Sequence, residues 1–430
     1  MKGSGSASAI SLWRDQRFRR FWAGNTVSQF GDRITELALP LIAVSALNTS
    51  ANQVAWLTAL VWAPNLLAVF LGAWVDHRAR KRRLMIIADL LRAATLLSIP
   101  AAYVWGVVTL GQLYAVAWLT GAAGVLFNTS YPPFFVSLVP RASYVDANSK
   151  ISASRSVSYV AGPAIGGALI QILTAPVTLV VDAITFLVSA LLIGRVAVDE
   201  PPAETGGAAP PLLRRAREGL VLVVRHPVLR ACLGCAATVN FFTFLAGSGL
   251  VVLFASRNLG LSAGVIGFAF GIGATGSLLG ALLAPRVSRR IGVGRSIALG
   301  AVIFPAPVAV AAAAGGPLWL RAGALAASEF LSGVGVMLFD VNLNALQTTV
   351  IPDGLRSRIA GAFSTINYGI RPVGAVAGGL LATGIGLRAT LFVAALGGVM
   401  SLLWLLPSPI PHIRSLAPET AAGTTADTAG

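Results

Sequence analysis

Twelve apolar stretches run along the chain, at 20–47, 54–74, 84–104, 110–130, 152–172, 176–195, 231–255, 264–284, 296–314, 318–347, 360–384 and 389–406. Most hold about 20 residues, enough to cross a ~30 Å hydrocarbon core as a helix. Of the 32 Lys and Arg residues, only Arg257, Arg321 and Arg388 fall in the odd-numbered connections. Arg33, Arg92 and Arg371 lie deep inside spans, and the rest sit at the termini or in and beside the even-numbered connections. The positive-inside rule then places both termini and every even connection in the cytoplasm. The expected fold is an all-α membrane protein of twelve transmembrane helices.

Composition agrees. The chain is 56% hydrophobic and only 11% charged, against about 25% charged in a soluble domain. A net charge of +16 raises nucleic-acid binding as a question, but positive-inside placement already accounts for it, so no nucleic acid is expected. No small-residue cleavage site closes a short apolar core near the start, so no removable signal is read. Cys232 and Cys235 form Cys-x-x-Cys at the start of the seventh span with no His or further Cys near, which suits packing rather than metal or redox work. The excess of Arg over Lys, with abundant Ala and Gly, points to a GC-rich bacterial genome.

The longest hydrophilic break, 197–230, divides the chain into six spans plus six. The expected parts are a cytoplasmic tail (1–19), a first bundle (20–196), the linker (197–230), a second bundle (231–406) and a disordered tail (407–430). The linker opens Pro/Gly/Ala-rich; Leu212 to Val224 then alternates Arg214, Arg215 and Arg217 with Leu213, Leu220 and Val224. That part reads either as a basic amphipathic helix on the inner leaflet or as a plain solvated linker. The halves echo each other. Leu138-Val139-Pro140 precedes span five and Val350-Ile351-Pro352 precedes span eleven; basic clusters close spans two and eight. Such a repeat suggests two bundles rocking about a midplane site. Gly271-x-Gly273-x-x-Gly276 fits the dinucleotide-binding pattern but sits inside an apolar span with no strand before it, so close helix packing, continued by Gly280, is the reading.

The strongest local motif is Gly72-Ala-Trp-Val-Asp76-His77-Arg78-Ala79-Arg80-Lys81. It resembles the major facilitator signature Gly-x-x-x-Asp-Arg-x-Gly-Arg-Arg: Gly72, Asp76, Arg80 and Lys81 match, while His77 and Ala79 depart. Read physically it is a conformational latch. Gly72 would permit close approach to the other bundle, and Asp76 would sit at a helix N-terminus there. A wider resemblance covers almost the whole chain and points to the third drug:proton antiporter family, with its macrolide-efflux and enterobactin-exporter branch. Its matching stretches include Ser28-x-x-Gly31-Asp32, Ala88-Asp89-x-x-Arg92, Ser154-Arg155-Ser156, Glu218-Gly219-Leu220 with His226-Pro227, and Arg356-x-Arg358. The resemblance implies a major facilitator fold of two pseudo-symmetric six-helix bundles. The fourth span lacks the coupling Arg of other facilitator branches; Ala117 is near its place. Gly162-Pro163-x-x-Gly166-Gly167 partly resembles the fifth-span antiporter signature, with Ser158 where the family has Gly. It reads as a bend with tight contact or as ordinary helix packing.

Ionisable groups inside spans are costly, about 2.5–3.5 kcal/mol or more each, so each is a functional candidate. Asn25, Gln29, Asp32 and Glu36 form one polar stripe on span one. Asp32 lies about 16 Å deep, and two carboxylates one turn apart cannot both ionise cheaply, so one is expected to take and release a proton; alternatively, Arg33 neutralises Glu36. Glu329 and Arg371 come out at similar midplane depth on spans ten and eleven. They are expected to pair, or else Arg371 binds an anionic substrate group. Asp340 and Asn344 continue the Glu329 face nearer the cytoplasm. Asp89 and Arg92 can pair at i, i+3. Asp182 is either a structural hydrogen-bonding group or a transport residue.

Proton coupling is thus expected at Asp32, Glu36 and Glu329, and a substrate cavity at Asn25, Gln29, Arg371, Asp340 and Asn344. The expected function is proton-coupled export of an amphipathic small molecule, such as an antibiotic or secondary metabolite. Siderophore export is the alternative, and a non-transporting receptor or scaffold is the reading from another class. No cofactor is expected beyond the proton gradient, and no metal. His77, His226 and His412 all fall in cytoplasmic segments with no nucleophile–base pair, so no enzyme is expected. The partners are substrate, protons and the lipid bilayer of a bacterial cytoplasmic membrane, and the chain is expected to be monomeric.

Overall fold

The computed structural model describes residues 12–76, 78, 80–198, 200, 220–351 and 356–415. Among them the structure is all-α. The first bundle holds α1 (Gln16–Ser45), α2 (Ala51–Trp62), α3 (Ala68–Asp76), α4 (Lys81–Val104), α5 (Leu110–Leu138), α6 (Tyr144–Leu173) and α7 (Ala175–Gly194). The second holds α8 (Pro227–Ala246), α9 (Ser248–Arg257), α10 (Ala263–Ile291), α11 (Val293–Ile303), α12 (Val308–Ala313), α13 (Leu318–Val350), α14 (Arg356–Ile385), α15 (Leu387–Val399) and α16 (Leu402–Leu405). These pieces make twelve crossings. Nine are long and apolar enough to span by composition alone. The others are α1, with Asp32, Arg33 and Glu36; the broken α2–α3; and α14, with Arg371.

Four crossings read as continuous in the sequence are interrupted, the last between α15 and α16 at Met400–Ser401 and the other three each at a proline or glycine. Pro64 cannot donate an amide and turns 63–67 into a 3-10 segment between α2 and α3. Gly247, at φ +52°, separates α8 from α9. Pro305 and Pro307 part α11 from α12. Helix starts carry recognisable caps: Asp15 accepts from Arg17 N at 2.8 Å, Ser50 and Gln53 form a reciprocal capping box, and Thr109 accepts from Gln112 N at 3.2 Å. Of the linker, 220–225 is helical with Val223 buried and Leu220, Val221 and Val224 exposed. Arg214, Arg215 and Arg217 lie outside the described residues.

Within each half, packing is close wherever glycine removes a side chain. The Gly271–Gly280 stripe of α10 lies against α13. A Cβ at Gly276 would collide with the Phe330 carbonyl, and one at Gly280 would come 2.5 Å from that of Val334. This is helix packing, not a nucleotide loop. Cys232 and Cys235 are buried free thiols in the core of the second bundle.

The halves meet through α6 with α10, α2 with α14, and α1 and α2 with α9. Their close contacts cluster toward the end away from the basic clusters. Gly167 backs onto Gly267 there, Gly264 N donates to Gln171 Oε1 at 3.4 Å, and Arg257 donates to Asn48 Oδ1 at 2.8 Å. Gly249 lies on Val54 and Thr58, and Gly379 on Asn52 and Ala55. Among the described residues nothing stands within 4 Å of a Cβ built on Gly72, and none of them makes the close approach expected at that glycine.

Candidate functional site

Two pockets share Arg33, Glu36 and Ser248, the first between the bundles and the second within the first bundle, reaching the other bundle only at Ser248. The first, of ≈ 750 Å³, is walled by α1, α6, α9, α10 and α13, including Tyr159, Pro163, Phe270, Glu329 and Ser332. The second, of ≈ 1150 Å³, lies between α1, α2, α4 and α5 and includes Asp32, Trp62, Asn65, Arg92 and Asn128. Apolar and aromatic walls with a few convergent polar groups are what a small-molecule site requires.

The polar stripe of α1 forms the shared wall. Arg33 donates to Glu36 Oε2 at 2.7 Å, one turn away, and its guanidinium lies 4.9 Å from the Tyr159 ring centroid. Gly162 makes this placement possible, because a Cβ there would sit 2.6 Å from that of Arg33. The α6 glycines therefore seat α1 through Gly162 and Gly166 and reach the other bundle through Gly167. Asp32 faces the second pocket and is half-exposed; Arg92, nearly buried, lies 3.5 Å from its Oδ1. Both carboxylates of the stripe are thus paired with arginines, one within α1 and one from α4. Nearer the basic end, Asn25 is buried, and Gln29 Oε1 is buried without a hydrogen-bond partner.

Arg92 turns to Asp32 and not, as the i, i+3 spacing suggested, to Asp89. Asp89 is fully buried beside the Ser189 hydroxyl, and neither of its oxygens makes a well-formed hydrogen bond among the described residues. Asp182 is fully buried and accepts from the hydroxyls of Thr35 and Thr185, the second at 3.1 Å. It ties α7 to α1 where Gly31 leaves room for it, which is the hydrogen-bonding alternative for that residue.

Glu329 and Arg371 do not pair. Glu329 projects into the first pocket beside Gly273, with no ion-pair partner among the described residues. Arg371 donates from Nε to Asn240 Oδ1 at 3.2 Å. Its guanidinium lies 4.5 Å from the Trp62 ring centroid, 4.5 Å from that of Tyr368 and 5.0 Å from that of Phe244. Equal depth along two helices says nothing about which face each residue takes, and three aromatic rings solvate the cation instead. Asp340 is half-buried on α13. Asn344 is exposed and accepts from Thr348 through its backbone carbonyl at 2.8 Å.

At the basic end, Glu200 stands on a helix N-terminus. Glu200 accepts from the backbone amides of Lys81 and Arg82, the latter at 3.1 Å, and so caps α4 from the linker. Lys81 Nζ donates to the Val75 carbonyl at 2.8 Å, and Arg78 lies 4.5 Å from the Trp74 ring centroid. Asp76 ends α3, and Arg80 is the N-cap position of α4. Residue-level reading missed Glu200, Asn240, Tyr159 and the Trp62–Phe244–Tyr368 rings. Aromatics within apolar spans give no signal by composition.

The sequence profile of the Major Facilitator Superfamily matches residues 21–370 and 235–428. The chain belongs to that superfamily. It is 29% identical to the multidrug efflux pump Tap of Mycolicibacterium fortuitum, over 90% of this chain and 93% of that one. It is 27% identical to Tap of Mycobacterium tuberculosis, over 90% and 92%, and 25% identical to the MFS-type transporter YfiS of Bacillus subtilis, over 87% and 89%. Among solved facilitator folds, a point mutant of the nucleoside transporter NupG superposes with a TM-score of 0.72 at 13% identity, over 91% of this chain and 99% of that one. A bacterial homologue of ferroportin in an inward-facing state gives 0.70 at 17% identity, over 92% and 100%. The facilitator architecture thus extends over the two bundles found here.

Proposed function

We propose that this facilitator exports amphipathic organic molecules across a bacterial cytoplasmic membrane in exchange for protons. The observation that carries the reading is a central cavity holding three carboxylates, Asp32, Glu36 and Glu329, of which only Glu329 lacks an arginine partner among the described residues. With Arg33 and Arg92 neutralised, one negative charge remains among apolar and aromatic walls. That suits a cationic amphipath and opposes an anionic siderophore. Similarity to two Tap efflux pumps supports export of drug-like molecules.

Asp32 is the proton carrier in this reading. It is half-exposed to the cavity and bound to one arginine across a helix interface, so protonation frees Arg92 and alters the α1–α4 contact. Glu36 stays held by Arg33 within α1. Basic clusters face the cytoplasm with both termini, and the α2–α14 and α6–α10 contacts close the outer side. The protein works as a monomer, without metal or cofactor, and the latch residues Gly72, Asp76, Arg80 and Lys81 close the inner side in the opposite state.

The test uses the purified chain in proteoliposomes with an imposed pH gradient and ethidium as probe cation. Accumulation of ethidium on the acidic side that collapses with a protonophore is expected. Transport indifferent to the gradient would remove proton coupling, and no transport of any amphipathic cation would remove the substrate class.

A further inference from the structure

Behind the cavity wall, the first bundle contains more acid than the carrier step uses. Asp89 sits on α4 three residues before Arg92, fully buried, with neither oxygen in a well-formed hydrogen bond among the described residues and the Ser189 hydroxyl of α7 beside it. The Nε of Arg92 also lacks one, while the same guanidinium faces Asp32 at 3.5 Å. Gly124 leaves space beside that guanidinium: a Cβ there would stand 2.6 Å from its terminal nitrogen. The guanidinium is 5.0 Å from the Phe186 ring centroid and 5.7 Å from that of Phe127, and makes no other ion pair among the described residues. Arg92 is thus paired loosely with Asp32 and stands one turn from Asp89 on its own helix.

We propose that Asp89 is a second proton-binding site and that Arg92 switches between Asp32 and Asp89, the proton residing on whichever carboxyl Arg92 leaves. This rests on the proton-coupled reading above. A carboxylate buried with a single hydroxyl beside it and no ion-pair partner is very costly, so Asp89 is neutral in this state and Asp32 is the ionised partner. Asp89 is eight residues from the start of α4 and Arg92 eleven, so Asp89 lies about 4–5 Å closer to the basic end. A proton taken by Asp32 from the cavity passes to Asp89. The O–H bond on Asp32 breaks, one forms on Asp89, and Arg92, protonated throughout, turns from Asp89 to Asp32. The trio stays neutral during the transfer. Asp89 then loses its proton toward the basic end, and the next proton restores neutrality at Asp32. One proton crosses per cycle on a route separate from the first pocket and Glu329.

Other titratable groups do not compete. The α7 helix packed on α4 contributes Asp182, held by Thr35 and Thr185, and the Ser189 hydroxyl beside Asp89. The packed α5 contributes Tyr114 and Tyr131, and α1 adds Arg33 and Glu36, already paired with each other.

The test compares wild type, Asp89→Asn, Asp89→Ser and Asp32→Asn, each as the full chain in liposomes. Uphill ethidium transport is driven by a pH gradient, downhill ethidium flux is measured without one, and the infrared band of protonated carboxyl groups is recorded without substrate. Asp89→Asn is expected to fold, to keep downhill flux within about twofold and to lose about tenfold or more of uphill transport. It is also expected to remove a protonated-carboxyl band that Asp32→Asn leaves in place. Wild-type uphill transport in Asp89→Asn, or a band unchanged by it, would overturn the proposal. So would failure of both Asp89 variants to fold, since an ionised Asp89 paired with Arg92 would then be holding the bundle. If wild type itself shows no gradient-driven transport, the proton-coupled reading is the one that fails. The band then decides alone: its loss in Asp89→Asn supports the Asp89 site, and its persistence overturns it.

Discussion

The guanidinium of Arg371 lies 4.5 Å from the ring centroid of Trp62, although the two residues belong to different bundles. Tyr368 stacks on the same indole at 6.2 Å, and Phe244 meets it edge-on at 5.2 Å. The cation is therefore one half of a clasp, with Trp62 of α2 inserted into a pocket built by α8 and α14.

Trp62→Ala should loosen that clasp. A desolvated cation–π contact contributes about 2 kcal/mol, so the equilibrium between the two access states should shift roughly thirtyfold toward opening at the far end. Spin labels at the ends of α6 and α10 would report a new long-distance population. An unchanged distance distribution would show that the contact does not bias the states.

Arg371 and Glu329 share no contact, so their neutralisations should add. The coupling in an Arg371→Gln, Glu329→Gln cycle, scored by thermal stability in detergent, should stay within about 0.5 kcal/mol. Each single change is costly for its own reason: the first empties an aromatic cage, the second removes a cavity charge. A coupling well above that figure would restore the ion pair expected from helix depth.

Glu329→Gln should selectively weaken cationic probes. A charge-assisted contact is worth about 1.5–3 kcal/mol, so ethidium affinity should fall roughly tenfold to hundredfold, while a neutral amphipath of similar size keeps its affinity. Equal losses for both probes would assign Glu329 to cavity shape rather than charge recognition.

Glu200→Ala should cost about 0.5–2 kcal/mol by uncapping α4, lowering the melting temperature without changing ethidium affinity. Glu200→Asp should recover part of the loss. A variant as stable as wild type would show that the two amides find other acceptors.

Much of the fold was legible because lipid imposes simple rules. Span length, cation placement and the Gly-rich stripe of α10 each follow from one-dimensional pattern. The midplane carboxylates were legible for the same reason, as charges where charge is costly. Pairing was not. Asp89 with Arg92 satisfied i, i+3 and Glu329 with Arg371 satisfied depth, yet Arg92 crosses to α1 and Arg371 turns to three rings. Those choices depend on helix rotation and on which neighbour a glycine such as Gly124 admits, neither of which one helix encodes by itself. The Glu200 cap was hidden differently, since a lone carboxylate in a Pro-rich linker gives no sign of the helix it will reach.

Asp32 as proton carrier is the claim on which the account turns. The direct measurement imposes an ethidium gradient on proteoliposomes at equal pH and records proton movement with an entrapped pH indicator. Wild type should move protons against the ethidium flow, and Asp32→Asn should carry ethidium downhill with no proton signal. A full proton signal from Asp32→Asn would contradict the account.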